Sequence, residues 1–203
     1  MKFRQILISL LCLAGAPALA ADAAALVEQH CSRCHGSDGL ATGPGLPHLN
    51  GQLEAYLADA IGKLQKGRLP TTVATHIPAE LSSSDLAVIA GHYAGIRAIR
   101  PKQEVDPAKQ ARGEEVYRNR CAECHPDNGR EADKDAPLMA AQSLDYMLAQ
   151  TRLFVSGKRK FGFLQDEAFK GLSSDDLDAA AHFFASQEQY AEAKPVIKKK
   201  QRR

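Results

Sequence analysis

Tryptophan is absent from this 203-residue chain, methionine occurs three times, and aromatic residues make up only 6% of it. A chain so poor in large rings has little of its own with which to fill a core, so something else must supply apolar bulk. No segment alternates apolar and polar residues in the strand period, which argues against a sheet. No apolar run is long enough to span a bilayer. An excess of one charge is also missing: 26 Lys plus Arg face 24 Asp plus Glu. A generic nucleic-acid role therefore has no electrostatic footing. What remains is ordinary for a folded soluble protein, 44% apolar and 25% charged, which excludes collagen-like, disordered and multi-span membrane classes.

The N-terminus is the unusual part. Lys2 and Arg4 precede an apolar run, Ile6 to Ala16, that ends in Ala18-Leu19-Ala20. This reads as a secretory signal peptide over residues 1–20, cleaved after Ala20, and it implies a periplasmic protein. Cys12 lies within the run, but the bulky Leu11 before it does not fit a lipid-attachment signal. Cleavage leaves 183 residues with 24 cations and 24 acids, and four cysteines: Cys31, Cys34, Cys121 and Cys124.

Compared with itself at an offset of 90, the chain is a duplication. Cys31-Ser32-Arg33-Cys34-His35 returns as Cys121-Ala122-Glu123-Cys124-His125, and Pro47 to Gln52 returns as Pro137 to Gln142. Tyr56-Leu57 returns as Tyr146-Met147, and after one extra residue Leu81 to Leu86 matches Leu172 to Leu177. Two tandem copies of one small domain are expected, over 21–100 and 107–190, with a linker at 101–106 and a basic tail at 191–203. Asp106-Pro107 fits an N-cap followed by a first helical residue. In the first copy Leu53, Tyr56, Leu57, Ala60, Ile61 and Leu64 share one face of a second helix that stops near Gly67. A last helix opens with a capping-box pattern in each copy, Ser82 to Asp85 and Ser173 to Asp176. The expected class is all-α, about three helices per copy.

Two cysteines separated by two residues, with histidine directly after, form the attachment signature of c-type haem. Both thiols reach the vinyl groups of one porphyrin while the next side chain is held under the iron. The signature occurs twice, at equivalent places, and uses every cysteine of the mature chain. The rival readings fit less well. A disulfide oxidoreductase places its pair at a helix start after a strand, and no strand precedes either pair. Zinc ribbons set their pairs about 15–20 residues apart, whereas 86 residues separate Cys34 from Cys121. Structural disulfides need no histidine beside each pair.

On these motifs the chain resembles the dihaem class I cytochromes c, of the cytochrome c4 type and the cytochrome subunit of flavocytochrome c sulfide dehydrogenase. The resemblance covers about Ala24 to Gln187. It implies two tandem cytochrome c domains, each wrapped around one covalent haem c, with His35 and His125 as proximal iron ligands. It also implies that Pro47 and Pro137, each 12 residues after its histidine, offer a carbonyl to the imidazole Nδ1–H. The partners it implies are redox proteins: a flavoprotein or a membrane electron-transfer complex.

The sequence departs from that family where the sixth iron ligand should be. The family usually supplies a methionine from the loop between the second and last helices, but this chain has only Met1, Met139 and Met147. Met139 and Met147 align with Leu49 and Leu57, so packing is the preferred reading, and Met139 is kept as a minor distal candidate for the second haem. The first loop, Arg68 to Glu80, contains His76, which is expected to complete the first site. The second loop, Lys158 to Gly171, offers Lys158, Lys160 and Lys170, which ligate only if desolvated and deprotonated. Two functions follow: a dihaem carrier of single electrons, free or as the cytochrome subunit of a redox complex, or a small-ligand-binding haem protein with an open sixth position on the second haem. No side-chain set suits hydrolysis. The last ten residues carry six cations and no acid, and they are expected either to guide docking on an acidic protein or anionic membrane face or to act as a solubilising tail.

Overall fold

The computed structural model describes residues 18–70, 76–132, 136–160 and 162–190, with side chains from Ala23 onward. The expected signal peptide, apart from Ala18 to Ala20, and the basic tail lie outside the described residues. The elements are α1 (Ala18–His30), α2 (Ser32–His35), α3 (Glu54–Gln65), α4 (Ser83–Gly95), α5 (Pro107–Val116), α6 (Pro126–Gly129), α7 (Leu144–Val155), α8 (Phe163–Phe169) and α9 (Ser174–Ala185). A π-helical turn, Tyr117–Cys121, carries α5 into the second cysteine pair. Among the described residues there is no strand, only an isolated antiparallel bridge between Arg100 and Gln189. No helix among them is long and apolar enough to cross a membrane.

Local chemistry explains where these helices begin. Asp106 Oδ1 accepts from the amides of Ala108 and Lys109, at 2.8 and 3.0 Å, with Pro107 at the first helical position. Ser82 and Asp85 close a capping box at the start of α4, and Ser173 and Asp176 close its counterpart at α9. Each satisfies orphan amides of a first turn. In the first half α1 and α3 pack on α4, and in the second α5 and α7 pack on α9. The two cores are small: Val27, Leu57, Ile61, Leu86, Ile89 and Tyr93 in one, Tyr117, Met147, Phe183 and Phe184 in the other. In each half the core stops at the wall of a cavity. α8 has no helical counterpart among the described residues of the first half.

The halves are joined by polar contacts that follow the repeat. Gln142 Oε1 accepts from the His48 amide at 2.7 Å and its Nε2 donates to the His48 carbonyl at 2.9 Å. The equivalent Gln52 does the same to Leu138, Oε1 accepting at 2.8 Å and Nε2 donating at 3.1 Å. The linker adds Gln103, whose Nε2 donates to the Gln142 carbonyl at 2.8 Å. Arg100 is 1% exposed. It exchanges two backbone hydrogen bonds with Gln189, at 2.8 and 3.0 Å, and donates from Nε to Asn50 Oδ1 at 2.7 Å.

Candidate functional site

The two cysteine–histidine motifs open on one apolar cavity of about 360 Å³ that runs through the junction of the halves. Cys31, His35 and Pro47 line it from the first half, and Cys121, Cys124, His125 and Pro137 from the second. The motif is folded alike in both. The amide of His35 donates to the Cys31 carbonyl at 3.0 Å, and that of His125 to the Cys121 carbonyl at 2.9 Å. In the second half both cysteines and the histidine line the cavity, and in the first Cys31 and His35 line it while Cys34 is exposed. Five of the six face residues of the second helix, Tyr56, Leu57, Ala60, Ile61 and Leu64, form part of the wall.

The thiols are free, with Cys31 and Cys121 half-buried and Cys34 and Cys124 exposed. Burial, and then the neighbouring cysteine, pushes the Cys31 and Cys121 thiols up to about 11. A disulfide oxidoreductase needs the opposite, a thiol shifted down so that thiolate is present. Among the described residues no group of three His, Cys, Asp or Glu side chains is placed to hold a metal ion, which leaves the zinc reading without support.

Both imidazoles are fixed through Nδ1. His35 Nδ1 lies 3.0 Å from the Pro47 carbonyl oxygen, and His125 Nδ1 lies 2.9 Å from that of Pro137. A carbonyl only accepts, so Nδ1 carries the proton and Nε2 keeps its lone pair for a metal. Burial shifts both histidines downward, so they are neutral at neutral pH; the proline carbonyls oppose the shift, and His76 adds to it at His35.

The ring neighbours of the two histidines differ between the halves. His76 lines the cavity, its ring centre 6.0 Å from that of His35 and its plane within 10° of parallel. A metal–nitrogen bond of about 2 Å puts an imidazole centre about 3 Å from the metal, so two rings on opposite sides of one iron stand about 6 Å apart. The residues present fit a haem iron between them. At His125 the ring neighbour is instead Phe184, at 6.0 Å and 71°. Met139 donates its amide to the Gly129 carbonyl at 2.9 Å and packs in the second core, and Met147 is buried there. Lys158, Lys160 and Lys170 are exposed, and Lys170 faces Glu167 at 3.8 Å.

Sequence reasoning missed several residues of the cavity wall. His48 lines the cavity, and its Nδ1 accepts from the Ala41 amide at 3.0 Å. Arg159 also lines it, stands 4.9 Å over the Phe154 ring and hydrogen-bonds Gln150. Burial pushes the nearby Tyr146 phenol up to about 12, with the Tyr56 phenol adding to the rise. Leu69 occupies the position of Arg159 in the first copy, so the repeat gave no signal for it.

The chain matches known proteins along most of its length. Residues 110–188 match the family described as cytochrome c, and residues 18–90 match the family described as cytochrome C oxidase, cbb3-type, subunit III. A cytochrome c4 of Pseudomonas aeruginosa is 32% identical over 76% of this chain and 83% of its own length. A thiosulfate dehydrogenase electron acceptor of Stutzerimonas stutzeri is 26% identical over 77% of this chain and 78% of its own. The crystal structure of reduced cytochrome c4 from Pseudomonas stutzeri superposes with a TM-score of 0.70 at 25% identity, covering 85% of this chain and all of that one. With two c-type motifs folded alike against one cavity, the chain belongs to the dihaem class I cytochromes c of the cytochrome c4 type, electron-transfer proteins, and carries two covalent haem c groups.

Proposed function

We propose that the protein works in the periplasm, taking single electrons from a redox partner on one haem and passing them on through the other. Cys31 and Cys34 hold the first haem and Cys121 and Cys124 the second, with His35 and His125 as proximal ligands and Pro47 and Pro137 behind them. The observation that carries the reading is the single cavity lined by residues of both motifs, each with its histidine on the wall. Haem iron supplies a one-electron couple; the residues of this chain set its ligands, exclude water and hold the imidazole protons at Nδ1. The likeness to a thiosulfate dehydrogenase electron acceptor points to a sulfur-compound dehydrogenase as donor. Without the last ten residues, the mature chain carries 18 cations and 24 acids, so a cationic tail on an anionic body orients docking in a salt-dependent way.

His76 completes the first iron in this proposal, and Met139 and Met147 belong to packing. Replacing the usual methionine lowers the haem potential, which suits an early acceptor. The exposed lysines of the second loop favour one further reading, an accessible sixth position on the second haem. Both are tested on the purified dihaem protein. The near-infrared methionine-to-iron band is expected to be absent and carbon monoxide to bind at no more than one ferrous haem. His76→Ala should create one additional carbon monoxide site. A methionine band would restore Met139 or Met147 as a ligand, and an unchanged stoichiometry in the variant overturns the assignment of His76.

A further inference from the structure

Of the six residues Pro47 to Gln52, only the first and last are identical in the second copy. The proline carbonyl accepts from its own domain's histidine. The glutamine is committed to the other domain, and its target is the same peptide group that the opposite proline begins. The Pro47 carbonyl accepts from His35 Nδ1 at 3.0 Å, and the amide across that peptide bond, on His48, donates to Gln142 Oε1 at 2.7 Å. The Pro137 carbonyl accepts from His125 Nδ1 at 2.9 Å, and the amide across its peptide bond, on Leu138, donates to Gln52 Oε1 at 2.8 Å. Both glutamines are buried, at 3% and 5% exposure, so water does not compete for the peptide.

From this crossed arrangement we infer that Gln52 and Gln142 are positioning residues that each tune the haem of the opposite domain. The inference rests on His35 and His125 being the proximal ligands. The physical link is a hydrogen-bond chain, imidazole Nδ1–H to carbonyl, then amide N–H to glutamine Oε1, sharing one conjugated peptide unit. An acceptor at the N–H end moves electron density toward the carbonyl oxygen, which then takes a stronger bond from the imidazole; bonds in such chains reinforce one another by about 10–30%. A more electron-rich imidazole favours ferric iron. Each oxygen is itself held, Gln142 Oε1 by the Ser143 amide at 2.8 Å and Gln52 Oε1 by the Leu53 amide at 3.1 Å. The chain is therefore anchored at the start of the second helix of the opposite domain.

The test uses the full dihaem protein with Gln142→Met and Gln52→Met, which keep volume but remove the acceptor. Spectroelectrochemistry gives the two potentials, and nitrogen-edited NMR of the ferrous protein resolves the two Nδ1–H resonances. Gln142→Met should shift the His35 proton upfield and favour reduction of the first haem by roughly two- to tenfold, about 20–60 mV at 59 mV per decade. Gln52→Met should do the same to His125 and the second haem. A shift confined to the variant's own domain, or none, overturns the inference. If a methionine variant does not load two haems, Gln→Asn, which withdraws the acceptor by one methylene, is read by the same criterion. Failure of the proximal assignment is separable, because the unsubstituted protein would then lack ring-current-shifted Nδ1–H signals from His35 and His125.

Discussion

Two tyrosines perform one task from positions that the repeat does not pair. Tyr93, on α4, donates its hydroxyl to the Gly36 carbonyl at 3.0 Å, just past the first motif. Tyr117, ahead of the second motif, donates to the His125 carbonyl at 3.0 Å and accepts from the Asn128 amide at 2.7 Å. Val27 stands at the counterpart of Tyr117, and Phe184 at that of Tyr93. The phenol has changed helices while its function at the end of the motif stayed. Tyr117 has the harder duty, because Asp127 and Asn128 turn at φ of 48° and 57°, the left-handed region that costs a non-glycine residue about 1–2 kcal/mol. Tyr117→Phe leaves one acceptor and one donor unpaired and is expected to cost about 2–3 kcal/mol, against about 1 kcal/mol for Tyr93→Phe. Urea unfolding of the haem-loaded variants measures both, and equal costs would show that the Asn128 bond contributes nothing.

At the scale of elements, the caps were legible in the sequence and the crossings were not. Ser82, Asp85, Asp106, Ser173 and Asp176 act within one turn of their own helix, so their spacing alone announced them. The close approach of α5 and α9 involves residues more than 60 apart in the chain and left no local pattern. Gly113 sits at that crossing: a Cβ there would lie 2.0 Å from the Ala179 carbonyl oxygen and 2.8 Å from Phe183 Cβ. Backbone cannot step aside as a side chain does, so Gly113→Ala must push the helices apart. The expected loss is about 1–3 kcal/mol, seen as a lower thermal midpoint of the dihaem protein. An unaltered midpoint would mean that the crossing tolerates a methyl group. The π-helical turn was likewise not legible, since Tyr117–Cys121 reads as a plain continuation of α5 until packing fixes where Cys121 must arrive.

At the scale of the molecule, Arg100 ties three pieces together: the linker, Asn50 of the first half and Gln189 at the end of the second. Burial lowers its guanidinium to about 10, and Nη1 has no hydrogen-bond partner among the described residues. A buried cation held mainly by neutral oxygens is retained for what it joins. Arg100→Ala leaves Asn50 Oδ1 without its donor and should cost about 3 kcal/mol. Calorimetry is expected to resolve one unfolding transition of the dihaem protein into two in the variant; a single peak merely moved down in temperature would deny the joining role.

Along the chain, spacing alone specified the helical class, the duplication, both haem motifs and the starts of the capped helices, while the family resemblance implied the proline carbonyl behind each histidine. The former are all local spacings or repeats of them, so chemistry along the chain is enough to specify them. Only the tertiary structure decided that His76 faces His35 while His125 meets Phe184, that both motifs share one cavity, and that Gln52 and Gln142 serve each other's domain. Those outcomes depend on distances between residues 40 to 95 apart in the chain. Such distances are set by how two packed halves meet, and no window of sequence contains them.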